Sequence, residues 1–191
     1  MRVGLDAHMI GAQETGNETY VRGLVNGLAS LDPGIELIAY TGRGDIELTM
    51  PPRGRRQRLI STIPAVRLGF ELGARAIGDR LDVLHGSYVR PLWSPVPVVI
   101  AIHDVCYIRH PEWFSPLHRQ AIQPAIAWSA QRSALIVTLS ESSKRDIVEA
   151  YHLAGDKVVV IPIGPGNAVH PMSHPDRESR LRTIGVAPGR D

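Results

Sequence analysis

The stretch VVIAIHDVCYIRHPEWF, Val98 to Phe114, decides the fold class. It opens as an unbroken apolar run, and with Val96 and Pro97 it predicts a strand over 96–103. A strand with one wet face alternates apolar and polar residues, whereas a strand covered on both faces does not need to. The run therefore belongs inside a parallel sheet. It stops at His103 and Asp104, which mark the point where the strand emerges, and the remainder through Pro111-Glu112-Trp113-Phe114 reads as a loop that shapes that edge.

The same signature recurs on both sides of it. Strands are expected at 2–7 (RVGLDA), 35–42 (IELIAYTG), 82–87 (DVLHGS), 134–140 (ALIVTLS) and 157–164 (KVVVIPIG), with a weaker one at 56–61 (RQRLIS). Helical patterns fall between them at 18–31, 66–80, 116–132 and 142–153. Parallel neighbours cannot be joined by a tight turn, and helix-length connections supply right-handed crossovers instead. The expected class is α/β, a doubly wound parallel sheet with helices on both faces. Asp32-Pro33-Gly34 should stop the first helix. Ser115 before Pro116, and Ser140 after its strand, should cap the third and fourth. Pro124 should bend or divide the third.

Composition narrows the function. A chain of 191 residues with 43% hydrophobic content suits one well-buried domain, taken as residues 1–170. The tail 171–191, rich in Pro and charge, reads as a linker. A net charge of +2 without lysine runs or interleaved aromatics speaks against a nucleic-acid partner. The one dense basic patch, RGRRQR at 53–58, is either a solvated loop or an attractor of phosphates or anionic lipid. Helix 66–80 has apolar and arginine faces, which suit either packing on the sheet or contact with a lipid-linked acceptor. Cys106 is the only cysteine, which rules out an intrachain disulfide and fits the cytoplasm. No run reaches the ~20 apolar residues of a membrane span, so a peripheral membrane contact is the most that is expected.

Polar residues collect at one edge of the expected sheet. Ligands of open α/β sheets bind beyond the C-terminal strand ends, where strand order reverses. Those ends carry Asp6 and His8, His85, and His103 with Asp104. Gly11 and Gly16 lie between the first strand and a helix beginning near Asn17, where free amides and the helix dipole favour an anion. The spacing is neither a dinucleotide fingerprint nor a phosphate loop. Gly86-Ser87 lacks the flanking glycines of a nucleophile elbow, and no metal-binding motif accompanies the histidines, so neither a hydrolase triad nor a metal is expected. Trp93 and Trp113 serve either as sugar-stacking platforms or as anchors of their loops.

These residues carry a resemblance. The opening VGLDAHMI with Thr15-Gly16-Asn17-Glu18-Thr19-Tyr20, then DVLHGSYVRPL, VIAIHDVCYIRHPEWFSP, ALIVTLSESSKRDIV and VVVIPIGPG, resemble in order and spacing the N-terminal half of retaining GT-B glycosyltransferases of family 4. That resemblance implies a Rossmann-like domain, one half of a GT-B fold, acting on the acceptor side. It implies a C-terminal nucleotide-sugar-binding domain as partner, a carbohydrate or lipid-linked acceptor, and a nucleotide-diphosphate sugar as co-substrate without a cofactor or metal. Gly16 and Asn17 would lie near the donor diphosphate, and His103 would reach the transferred sugar or the reacting centre. Asp104 would hold the loop or touch the acceptor. The chain departs from the family at Arg132-Ser133-Ala134, where an acid usually follows, and at Pro162-Ile163-Gly164, where Pro-Asn-Gly is usual. The alternative function is a non-catalytic module that binds a nucleotide or glycan.

Overall fold

The computed structural model describes residues 1–12, 15–31, 34–42, 47–164 and 180–183. Seven strands form one sheet: β1 (Arg2–Asp6), β2 (Glu36–Thr41), β3 (Arg55–Arg58), β4 (Val83–Ser87), β5 (Val98–Ala101), β6 (Leu135–Thr138) and β7 (Val158–Val160). Every pairing is parallel, in the order β3-β2-β1-β4-β5-β6-β7. All seven expected strands are present. The weakest, β3, begins one residue early and is a short, largely exposed edge strand made of RRQR.

The helices follow the expected pattern as well. They are α1 (Thr15–Leu31), α2 (Pro64–Val66), α3 (Leu72–Gly78), α4 (Cys106–Arg109), α5 (Pro116–Arg132) and α6 (Glu141–Tyr151). Ser140 caps α6, its hydroxyl accepting from the Ser143 amide at 3.1 Å. Ser115 precedes Pro116, the first residue of α5, and its carbonyl accepts from the Arg119 amide. Pro124 does not divide α5, which runs unbroken through it. Asp32 and Pro33, the expected stop of α1, lie outside the described residues, as does nearly all of the expected linker 171–191. Between α2 and α3 the chain widens into a π-helical segment, Arg67–Glu71, which the sequence pattern does not announce.

Right-handed crossovers dictate which face each helix covers. Chain moving from β1 toward β2 puts α1 on one face, where Val21 and Val25 pack on Val3, Leu5, Leu37 and Ala39. Chain moving the other way, from β3 to β4 and onward, puts its helices on the opposite face. There Leu72 and Ala76, Ile126 and Ala130, and Ile147 and Tyr151 pack on Leu84, Ile100, Ile136 and Val158. Helices therefore stand on both faces, but unevenly, and among the described elements only α1 covers the first. Beside α1 a mostly apolar groove of ≈ 880 Å³ runs past Val83, Val99 and Val137 to the segment 161–164.

Candidate functional site

The strand order reverses between β1 and β4, so their C-terminal ends open the crevice in which such sheets hold ligands. Asp6 ends β1, and His85 stands in β4 directly beside Leu5. The end of β5 delivers His103, just past Ala101 and Ile102, whose amide is held by the Val137 carbonyl of β6. Strand register alone thus brings together three groups that are separated by as many as 97 residues in the chain.

Two side chains that sequence reading did not single out join them. Tyr20, on the face of α1 turned to the sheet, has its hydroxyl 3.0 Å from His85 Nε2. Its ring meets His103 edge-on with centroids 4.7 Å apart. Tyr88 approaches His103 from the other strand end, perpendicular at 5.6 Å. To do so it adopts a left-handed backbone, φ 59, immediately after β4, and its amide bonds the Ala101 carbonyl. A non-glycine residue in that region costs about 1 kcal/mol or more, a strain that concentrates at functional sites. The available signal was Tyr20 four residues beyond Gly16, one helical turn on.

His103 is the exceptional residue of this set. Both its ring nitrogens are buried, and neither meets a hydrogen-bond partner among the described residues. Burial lowers its pKa, against the opposing pull of Asp104, so the ring is neutral near neutral pH. His85 is pushed further, to about 4, by burial first and then by His103, with Asp6 opposing. Burial raises the Tyr20 phenol to about 12. These three side chains therefore offer neutral donors and acceptors rather than charges.

Asp6 is already saturated. It lies 4% exposed, bonded to His8 Nδ1 at 2.9 Å and paired with Arg67 Nε at 3.2 Å. Burial works to raise its pKa, but His8 and Arg67 outweigh that and hold the carboxyl below its ordinary value. The expected ligand contact from Asp6 is thus replaced by an internal one: it anchors Arg67 of the π-helical segment and, through His8, the loop after β1.

Asp104 is exposed and its Oδ1 accepts from the Cys106 amide at 2.9 Å, fixing the start of α4. The loop beyond is pinned by buried Tyr107, whose hydroxyl meets that of Tyr151, and by Arg109, 2.7 Å from Asp146 of α6. Gly16 lies within the first turn of α1 rather than ahead of it, because the helix starts at Thr15. A Cβ there would meet nothing within 4 Å, so the space beside it is open. Gly16, Thr19, Tyr20 and His85 line the 880 Å³ groove, and among the described residues the last three supply its polar side chains. Asn17 follows Gly16 in the same turn. Trp93 packs away from this edge, against the Gly73 position of α3, and Trp113 is stacked on His110 at 4.1 Å. Trp93 thus packs on a helix, whereas Trp113 stays largely exposed on its loop. Among the described residues no three His, Cys, Asp or Glu side chains converge as a metal site.

Comparison with known proteins places this geometry. Forty chains of solved structures match the fold. One is the UDP-GlcNAc 2-epimerase of Methanocaldococcus jannaschii, with a TM-score of 0.54 at 10% identity, covering 84% of this chain and 45% of that one. The chain thus spans less than half the length of that structure, and the likeness is one of fold, a GT-B half. No curated protein matches the chain. Residues 15–164, from the start of α1 to just past β7, match Glycosyltransferase Family 4, and the chain belongs to that family.

Proposed function

We propose that this chain is the acceptor-side half of a glycosyltransferase that moves a hexose from a nucleotide-diphosphate sugar to a hydroxyl acceptor, a glycan or lipid-linked glycan, with retention of configuration. The observation that carries the reading is His103, whose two buried ring nitrogens lack partners among the described residues at the C-terminal edge of the sheet. Buried polar atoms are nearly always hydrogen-bonded, so an unmet pair at a strand end suits a residue that takes its partner from substrate. Tyr20 and Tyr88 hold the ring in place, and both must yield some cover for substrate to reach it.

Each group then has a role that its environment allows. His103 is neutral and can donate from one nitrogen and accept at the other, which suits orienting a sugar or acceptor hydroxyl. Gly16, in the first turn of α1, lines the groove beside open space, and with Asn17 next to it the positive end of the helix dipole is a setting for the leaving diphosphate. His85 and Tyr20 form a neutral wall beside it. Stabilising the departing charge needs cationic groups as well. In this reading they come from a second domain, and the chain on its own is inactive or nearly so.

The test uses the two-domain enzyme and the 191-residue chain side by side with UDP- and GDP-sugars. The chain alone is expected to give no turnover, and His103→Ala in the two-domain enzyme is expected to lose turnover with unchanged circular dichroism. Ordinary rates from the chain alone would remove the missing-half reading, and a folded, fully active His103→Ala would remove His103 from the site.

A further inference from the structure

Away from the crevice, three cations gather around the end of one helix. Arg132 closes α5, Lys157 directly precedes β7, and Arg90 lies on the connection between β4 and β5. Parallel strands all begin at the edge opposite the crevice, so the end of α5, which leads into β6, stands at that opposite edge. The Arg90 guanidinium lies 5.6 Å from the centroid of the Trp128 ring, and that of Arg132 lies 5.2 Å from it. Arg90 also donates to the Arg132 carbonyl, and Lys157 Nζ donates to the Gln131 carbonyl at 2.6 Å. The Arg90 amide is tied to the hydroxyl of buried Ser129 at 3.1 Å. Backbone carbonyls and one indole thus fix all three groups.

Carbonyls position these cations without neutralising them. Among the described residues no carboxylate pairs with Arg90, Arg132 or Lys157, whereas Arg2, Arg22, Arg55, Arg67, Arg75 and Arg109 each have one. The three charges instead oppose one another. Burial first, and then Arg132, lowers the pKa of Arg90, and burial followed by Arg90 lowers that of Lys157. Gathering like charges costs free energy, and an anion among them reverses the sign of the interaction. Donors remain for it. Arg90 uses Nε and Nη1 on the Pro91 and Arg132 carbonyls and keeps Nη2, while Lys157 uses one of its three protons. The exposed Arg132 guanidinium meets the Trp128 face and, among the described residues, no acceptor. Three cations suit a dianion better than a single carboxylate, and guanidinium forks match the oxygens of phosphate. They are too few to track a nucleic-acid backbone.

We propose that Arg90, Arg132 and Lys157 form a binding site for a phosphate dianion, free or as a monoester, at the edge of the sheet opposite the crevice. The inference does not rest on glycosyl transfer.

Calorimetric titration of the 191-residue chain with inorganic phosphate and with glycerol 3-phosphate tests it. The titrations run at pH 8, where a phosphate monoester is a dianion, and at an ionic strength held constant with sodium chloride. Saturable binding is expected. Phosphate alone would make the occupant free phosphate, and glycerol 3-phosphate as well would make it an ester. Arg132→Gln and Lys157→Gln should each weaken binding on the order of tenfold, the loss of one charge-assisted hydrogen bond. Circular dichroism of Arg132→Gln should stay unchanged, because that guanidinium is exposed and touches only the indole. Trp93→Phe with Trp113→Phe leaves Trp128 as the one indole of the chain, and its emission should change with the midpoint of the calorimetric curve. No saturable heat with either ligand overturns the proposal. So does binding that both Gln variants leave unchanged, a silent Trp128, or binding of hexaglutamate in place of phosphate, which would make the partner an acidic peptide.

Discussion

Lowering the pH from 7 to 5 is expected to destabilise this fold through His85. The imidazole is 8% exposed and its pKa is lowered to about 4 by burial and by His103, whereas in the unfolded chain it returns to an ordinary 6.5. The unfolded state therefore binds the proton first. Stability is full above pH 6.5, falls as pH drops below that value, and stops falling from this group near pH 4. With these two values the loss at pH 5 is about 2 kcal/mol, since each unit between them is worth ~1.4 kcal/mol. His103 shifts in the same direction and adds to the effect. Asp6 is lowered too, but a carboxylate below its ordinary value gives up stability only as pH falls below about 4, outside this window. The assay is urea denaturation of the wild type and His85→Gln at pH 7 and pH 5. Gln cannot titrate, so the variant should lose about 2 kcal/mol less than the wild type across that interval. Equal losses in both proteins would refute the assignment of a buried, neutral His85.

Two further substitutions probe the frame of the site. Arg67→Met leaves the buried Asp6 charge with only His8 beside it and should cost about 3 kcal/mol, the low end for an orphaned buried ion. Adding Asp6→Asn should recover part of that in the same urea titration, and no recovery would mean that Arg67 acts through packing instead. Ser140→Ala removes the hydroxyl that accepts from the Ser143 amide and should cost about 1 kcal/mol, read as a lowered thermal midpoint.

The architecture was legible because a doubly covered parallel strand must be apolar almost throughout. Continuous runs such as VVIA and LIVT locate themselves, and the stops at His103 and Ser140 mark their ends. Only β3, whose RRQR carries no apolar residue, was weakly signalled, and it is held by pairing with β2 rather than by burial. The histidines were legible as a group for a related reason: parallel strands all point the same way, so residues at their C-terminal ends meet at one edge. Their states were not. Asp6 was read as a ligand contact, yet it is consumed by Arg67, 61 residues away in sequence, and Tyr20 reaches His85 across 65 residues.

The sequence by itself determined the strands, most helix limits, the class of fold and the edge where chemistry collects, all of which depend on local pattern and on the common direction of the strands. Tertiary structure decided which groups at that edge are free and which are spent. Spacing along the 64–78 helix separates an apolar row from a charged one, but it cannot say which row faces the sheet. The core ordinarily takes apolar residues alone. Here Asp6 and the amides of Ile60 and Ser61 took Arg67 and Glu71 as partners inside, so those two share the buried side with Leu72 and Ala76, while Phe70 and Ile77 stay outside.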